Sequence, residues 1–410
     1  MKILIITQYF WPENFRINEV SEELVELGHE VSILTGYPNY PEGEIYSEFK
    51  KDHKKFSHYK GAKIIRVPLL ARKKNKISLI INYISFLLNS IIFGYFKLKD
   101  KKLDIIFTCQ LSPVTVGITS AFFSKILNIP QVFWVQDLWP DTLVDLKILK
   151  KNWQINLFKI LVNWIYSRCD LILAQSKNIQ KEIENYPSVK DNINYFPTWA
   201  ESDLFLKDSP PATEIKPKNI FTILFAGNIG EAQDFPNIIN AVKSLSLKNI
   251  NNFRIILIGD GTKKEWVVNK IKELNIEKYF EIHGQFPFKR MPSFFKHADI
   301  LLVSLLNREV FNMTIPGKIQ FYLSSGIPII GMISGEGAKV IRDAKAGFVC
   351  NSGDYKNLAK IINRTINLDK DILKTMGKNG KLYADKEFSK EILINNLNKH
   401  LIDISTRIQN

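Results

Sequence analysis

The chain has 410 residues, 45% of them hydrophobic, with a formal net charge of +15. That length exceeds one ordinary core, so two domains are expected, and the composition is that of a globular protein without low-complexity tracts or short repeats. Cys109, Cys169 and Cys350 lie far apart and make no CxxC pair, which argues against a zinc cage or a disulfide framework and points to reduced cytosolic thiols.

Met1-Lys2 leads straight into Ile3-Leu4-Ile5-Ile6, an apolar run too short for a signal peptide, so a cytosolic start is expected. The first strand, Lys2–Thr7, is followed by a helical pattern over Ile17–Leu27. There Ile17, Val20, Leu24 and Leu27 share one face, Glu22, Glu23 and Glu26 the other, and Gly28 stops the helix. Strand-like runs continue at Val31–Thr35, Lys63–Val67, Asp104–Thr108, Gln131–Val135, Asp170–Ala174 and Asn192–Phe196. A polar, proline-bearing stretch, 198–219 with Pro210-Pro211 and Pro217, reads as a linker. Strands resume at Phe221–Phe225, Arg254–Ile258, Tyr279–His283, Asp299–Ser304, Pro328–Ile330 and Gly347–Cys350, with helical patterns between.

Alternating strand and helix predicts parallel sheets covered on both faces. The expected organisation is a Rossmann-like domain over 1–197, the linker, a second over 220–385, and a last helix, 386–410, packing back on the first domain. Two such domains would face each other across a cleft at the carboxyl ends of their strands, where ligands of these sheets bind. Neither half has GxGxxG after its first strand, which disfavours a dinucleotide dehydrogenase.

Charge is concentrated. Residues 50–102 hold fifteen Lys or Arg and two acids, whereas 1–49 hold nine Glu against Lys2 and Arg16. Within the basic stretch lies an uncharged, mostly apolar run, Ile77–Phe96, flanked by Arg72-Lys73-Lys74 and by the lysines of 97–102. Ser78, Asn82, Ser85 and Asn89 form one helical stripe in it. A helix lying on the first domain at an anionic membrane surface fits this pattern better than a spanning helix. Nucleic acid is not expected as a partner, because no reader motif accompanies the basicity.

Loops after strands carry the candidate chemistry. After the first strand comes Gln8-Tyr9-Phe10-Trp11-Pro12-Glu13-Asn14-Phe15-Arg16, which holds Arg16 at the start of a helix, a place for a phosphate. Gln136-Asp137-Leu138-Trp139-Pro140-Asp141 follows the strand Gln131–Val135. The second half offers Ala226-Gly227-Asn228-Ile229-Gly230, Gly259-Asp260-Gly261, Ile315-Pro316-Gly317-Lys318, Gly326-Ile327-Pro328 and Gly335-Glu336-Gly337.

Together these resemble the retaining GT-B glycosyltransferases of family 4, in particular the subgroup that builds O-antigen, colanic-acid and capsule repeats and includes N-acetyl-L-fucosamine transferases. The resemblance spans nearly the whole chain. It implies an α/β, GT-B fold, a UDP-sugar donor on the second domain, an undecaprenyl-diphosphate-linked saccharide acceptor on the first, and no cofactor or metal. Carried over by position, Gln285 and Phe286 would meet the base, and Gly227, Asn228 and Lys318 would lie along the diphosphate, with Asp260 a further donor-binding candidate. Gly335 and Glu336 would lie near the donor sugar or phosphate, and Arg16 would close over the phosphate. Asp137 and Glu309 would orient sugar hydroxyls, with Glu13, Asn14, Phe15 and Gln136 in the acceptor loops. Departures from the broader family stand at Asn228 and Gln233, in place of an Arg and Lys that grip the diphosphate. They also stand at Met313 and Phe321, in place of two Glu, and at Gln136, in place of a His. These leave Lys318, Arg16 and helix N-termini as the main phosphate ligands, with Arg290 and Arg308 as further candidates. A GT-B epimerase of UDP-sugars and a non-catalytic paralogue are the competing expectations.

Overall fold

The computed structural model describes residues 1–72, 75–145, 147–206 and 209–407, without the side chains of Lys76 and Arg407. Lys73 and Lys74 of the basic cluster lie outside the described residues. The chain forms two compact units, Met1–Pro197 with Glu391–Asn410, and Thr198–Lys390.

The first unit holds an eight-stranded sheet: β1 (Lys2–Ile6), β2 (Glu30–Gly36), β3 (His58–Tyr59), β4 (Ala62–Val67), β5 (Ile105–Gln110), β6 (Gln131–Val135), β7 (Leu171–Ala174) and β8 (Ile193–Tyr195). Their order is β3-β4-β2-β1-β5-β6-β7-β8, parallel except for the β3–β4 ribbon. β5, β6 and β7 are buried at every residue, as continuous apolar runs in doubly covered parallel sheets must be. From β1 the chain builds outward through β2 and β4, then returns to β5 on the other side. The carboxyl ends of β1 and β5 therefore flank a topological switch point.

The second unit repeats the plan with six parallel strands: β9 (Phe221–Ala226), β10 (Phe253–Ile258), β11 (Phe280–His283), β12 (Ile300–Ser304), β13 (Ile329–Met332) and β14 (Gly347–Cys350), in the order β11-β10-β9-β12-β13-β14. Its switch point lies beside β9. The stretch expected as a linker is built into this unit. Ala200, Ala212 and Ile215 are buried in its core, and Ala212 N–H donates to the Ser293 carbonyl at 3.0 Å. Helix Lys390–Arg407 buries Leu393, Leu397 and Leu401. It reaches back within the first unit, where Asn398 Oδ1 meets His29 Nε2 at 2.7 Å and Ser405 meets Met1.

Helix Lys76–Leu98 is long and apolar enough to cross a membrane by length and composition. In the fold its polar stripe faces inward. Asn82 donates to the Leu70 carbonyl at 2.7 Å, Ser85 Oγ accepts from Leu70 N–H at 2.9 Å, and Asn89 donates to the Pro68 carbonyl at 2.9 Å. The opposite face, with Ile77, Ile81, Ile84, Leu88 and Ile92, is exposed. Helix Val116–Leu127 packs beside it through the Ser90–Thr119 hydroxyl pair at 2.8 Å and through Gly94 against Phe123. On its other flank Gly117 abuts Ile165 of helix Asn152–Tyr166, so three helices lie side by side on one face of the sheet.

Candidate functional site

In the second unit the turns after β9 and β10 leave backbone where side chains would ordinarily stand. Gly227 has φ +131° and Gly259 φ +144°; a Cβ on Gly259 would sit 1.9 Å from the Gly227 oxygen. Only glycine lets these two turns meet. The Asn228 side chain fills the space that a Cβ at Gly230 or Gly261 would take. These turns form one wall of a cavity of about 840 Å³, also lined by Asp260, Gln285, Phe286, Pro287, Phe288 and Met291. Its size suits a nucleotide or a drug-sized ligand.

Lys318 enters from the start of helix Gly317–Ser324. Its Nζ lies 3.7 Å from the centre of the Phe225 ring, and the end of its side chain packs on Gly227. Burial pushes the amine down to about 7, so it is poised to gain a proton when an anion arrives. Asp260 is committed elsewhere: it accepts from Gly261 N–H at 2.8 Å and pairs with Lys264 at 3.2 Å. Arg290 is likewise engaged, forming a two-pronged pair with Glu214 at 2.7 and 3.0 Å. Gly335 opens helix Gly335–Asp343 against Asn312, and Glu336 is buried in that helix's first turn. Glu309 begins the short helix Glu309–Met313 and is exposed.

The carboxyl end of the first sheet is built differently. Glu13, expected in an acceptor loop, is turned inward as a brace. Its carboxylate accepts from the backbone N–H groups of Asn39 at 2.8 Å, Tyr40 at 2.7 Å and Phe10 at 3.2 Å. Burial still raises it to about 7. Phe15 stacks on Tyr9 with centroids 5.6 Å apart and stiffens the same loop; Asn14 is exposed. Arg16 pairs with Glu19 at 2.9 Å.

Around these, buried polar atoms converge. Gln8 donates to Asn82 Oδ1 at 2.6 Å, while Gln8 Oε1, Gln110 Oε1 and Gln136 Nε2 are buried without hydrogen-bond partners among the described residues. Buried polar atoms are normally paired, so unpaired ones at strand ends fit a site that a polar ligand completes. Asp137 sits among them, and burial alone raises its carboxyl to about 7. The Tyr83 hydroxyl lies 3.3 Å from Ser112 Oγ, and the Tyr83 ring 6.3 Å from that of Trp139. The structure thus gathers Asp137 and Gln136 with Gln8, Gln110, Asn82 and Tyr83. Sequence reading had not selected the last four, although the polar stripe of helix Lys76–Leu98 pointed to Asn82.

Comparisons with known proteins agree on what this architecture is. The family described as "Glycosyltransferase Family 4" matches residues 15–203, and that described as "Glycosyl transferases group 1" matches residues 208–383. The colanic acid biosynthesis glycosyl transferase WcaI of Escherichia coli K12 is 23% identical over 351 residues, 80% of this chain and 82% of that protein. Among solved structures, a glycosyltransferase from Rickettsia africae aligns with a TM-score of 0.71 at 16% identity, covering 98% of both chains. Anabaena HepE, solved in complex with UDP, aligns with a TM-score of 0.71 at 13% identity, covering 98% of this chain and 100% of that one.

Proposed function

We propose that this chain, which belongs to the GT-B glycosyltransferases of family 4 and serves polysaccharide biosynthesis, moves a sugar from a UDP-sugar to a lipid-diphosphate-linked saccharide with retention of configuration. The observation that carries this reading is the glycine-walled cavity of about 840 Å³ with Lys318 packed against Gly227 of its wall. Glycine turns that let a diphosphate approach the backbone closely, with one protonatable amine beside them, suit such a ligand, and HepE, of the same fold, was solved with UDP. In this reading Gln285 and Phe286 meet the base by their backbone, and the turns at Gly227 and Gly259 meet the diphosphate.

The bond between the anomeric carbon and the diphosphate oxygen breaks, and the acceptor hydroxyl oxygen bonds to the same face of that carbon. The hydroxyl proton passes to the leaving phosphate. Negative charge growing on the diphosphate is met by Lys318 and the start of helix Gly317–Ser324, which is the main catalytic contribution expected of the protein. Neither a metal nor a cofactor has a step in this scheme. Asp137 and the unpaired glutamine atoms of the first unit orient acceptor hydroxyls. The basic stretch 50–102 holds the enzyme peripherally on the cytosolic face of an anionic membrane, where a lipid diphosphate resides.

The test is a thermal-shift screen with UDP, GDP and their sugars. The donor, at about 100 times its Kd, should stabilise the protein by ~2.7 kcal/mol. Stabilisation by GDP-sugars alone, or by none of these, would refute the UDP-sugar reading.

A further inference from the structure

A second basic and apolar element lies outside residues 50–102. Residues 147–168 carry Lys147, Lys150, Lys151, Lys159 and Arg168 and no acid. Within them helix Asn152–Tyr166 turns Val162, Ile165 and Tyr166 into the first unit. Its outer face presents Trp153, Leu157, Ile160 and Trp164, which are 63%, 57%, 68% and 40% exposed. Their spacing of i, i+4, i+7 and i+11 places them on one stripe, ~17 Å long at 1.5 Å per residue. All five cations are exposed around it. A stripe of large apolar side chains at this exposure is costly in water and marks a contact surface. Tryptophan at both ends, a lysine between and no carboxylate in the segment itself, the nearest being Asp141 and Glu182 in the cavity beside Ile160, match the headgroup zone of an anionic bilayer.

The stripe is continuous with other features. Helix Val116–Leu127 joins this helix to Lys76–Leu98, whose outer face is also apolar and exposed. Both outer helices touch the loop that carries Asp137. Trp139 lies against Tyr83 on one side and Phe158, at 5.9 Å between centroids, on the other. Ile160 of the stripe shares a cavity of about 380 Å³ with Leu138 and Asp141 of that loop.

We infer that helix Asn152–Tyr166 is a second bilayer-contact element, which seats its Trp153–Trp164 stripe in an anionic membrane and so brings lipid alongside the Asp137 loop. The inference rests on the peripheral-membrane reading above and adds a separate apolar contact to it. Glutamate at two stripe positions removes two apolar side chains from the interface, each worth about tenfold when fully buried.

The experiment is flotation of the full chain with phosphatidylcholine vesicles containing phosphatidylglycerol, at low and high salt. It compares wild type with L157E/I160E and with K101E/K102E. Partitioning of L157E/I160E should fall roughly a hundredfold and most completely at high salt, where the charges are screened. K101E/K102E should lose binding mainly at low salt. These stripe side chains are exposed, so the variants should melt as wild type does. As an independent readout, brominated lipids should quench tryptophan emission in wild type and much less in W153F/W164F. If L157E/I160E floats like wild type while K101E/K102E does not, the inference fails and the basic-collar reading survives. If wild type floats on no anionic vesicle, both fail. A wild-type dimer that L157E/I160E dissolves, with flotation unchanged, would assign the stripe to a second copy of the chain and overturn the proposal.

Discussion

The two sheets share a plan but finish their carboxyl ends in opposite ways. In the second unit the ends of β9 and β10 are stripped to glycine, and the cavity wall is backbone. In the first unit the loops after β1, β5 and β6 contain no glycine, and the strand ends bring together Gln8, Gln110, Gln136 and Asp137. Backbone N–H groups are fixed dipoles of one sign, suited to an anion of constant charge. Amide and carboxyl side chains both donate and accept, and suit hydroxyls whose arrangement differs from sugar to sugar. A strand end thus carries in its residue types the kind of group it is made to hold.

If that division is right, the largest loss belongs to Lys318, the cation packed against Gly227 of the glycine wall. Lys318→Ala should lower transfer at least ~10²-fold, measured as kcat/KM, the scale of removing one preorganised stabiliser. The amine is held down to about 7, and in the proposed reading it is the cationic form that meets the diphosphate. The Kd of a UDP-sugar, whose diphosphate gains no proton in this range, should therefore be flat below about pH 7. Above it, Kd should rise by up to about tenfold per pH unit. Lys318→Arg should flatten the profile, since arginine stays charged. A Kd independent of pH in wild type would remove Lys318 from the anion site.

Next comes the first unit. Asp137→Asn should lower turnover ~10-fold, the worth of a charged hydrogen bond to a hydroxyl. Its carboxyl, raised to about 7, keeps a proton that the unfolded chain gives up near 3.8, so it contributes stability that is lost as pH rises from about 4 to about 7. Glu13, raised to a similar value, remains in both proteins. The difference in melting temperature between wild type and Asp137→Asn across that window should therefore isolate Asp137. Equal slopes and equal turnover would make it idle.

Smaller effects sharpen the boundary. Arg16 forms an i, i+3 pair with Glu19 worth only ~0.3–0.5 kcal/mol. Arg16→Ala should leave the melting temperature nearly unchanged while lowering kcat/KM several-fold; full activity would mean that the pair is all that Arg16 does. The smallest effect expected is none. EDTA should not reduce transfer, and activity restored by magnesium after chelation would show that Lys318 and the backbone are insufficient.

Much of the fold was legible because parallel strands buried on both faces write themselves as apolar runs. Gln131–Val135 and Gly347–Cys350 formed with the expected ends. The ribbon strand His58–Tyr59 left no such trace, being two residues long and only partly buried. Site residues were harder. The stripe of Ser78, Asn82, Ser85 and Asn89 was visible, but periodicity does not say which face turns inward; that was decided by the backbone of Pro68–Leu70. Glu13 looked like a loop acid facing a ligand because its partners, Asn39 and Tyr40, are distant in sequence. The Trp153–Trp164 stripe was overshadowed by the larger charge excess of residues 50–102.

The return of helix Lys390–Arg407 to the first unit bears on how the protein is made. Residues 198–390 are an unbroken stretch that can fold as soon as it leaves the ribosome. The first unit, although synthesised earlier, must wait with Met1 and His29 uncovered until Asn398 and Ser405 arrive. The usual order of N-terminal domain first is therefore reversed for its completion. A chain truncated after residue 390 would hold all of the second unit and a first unit without its last helix.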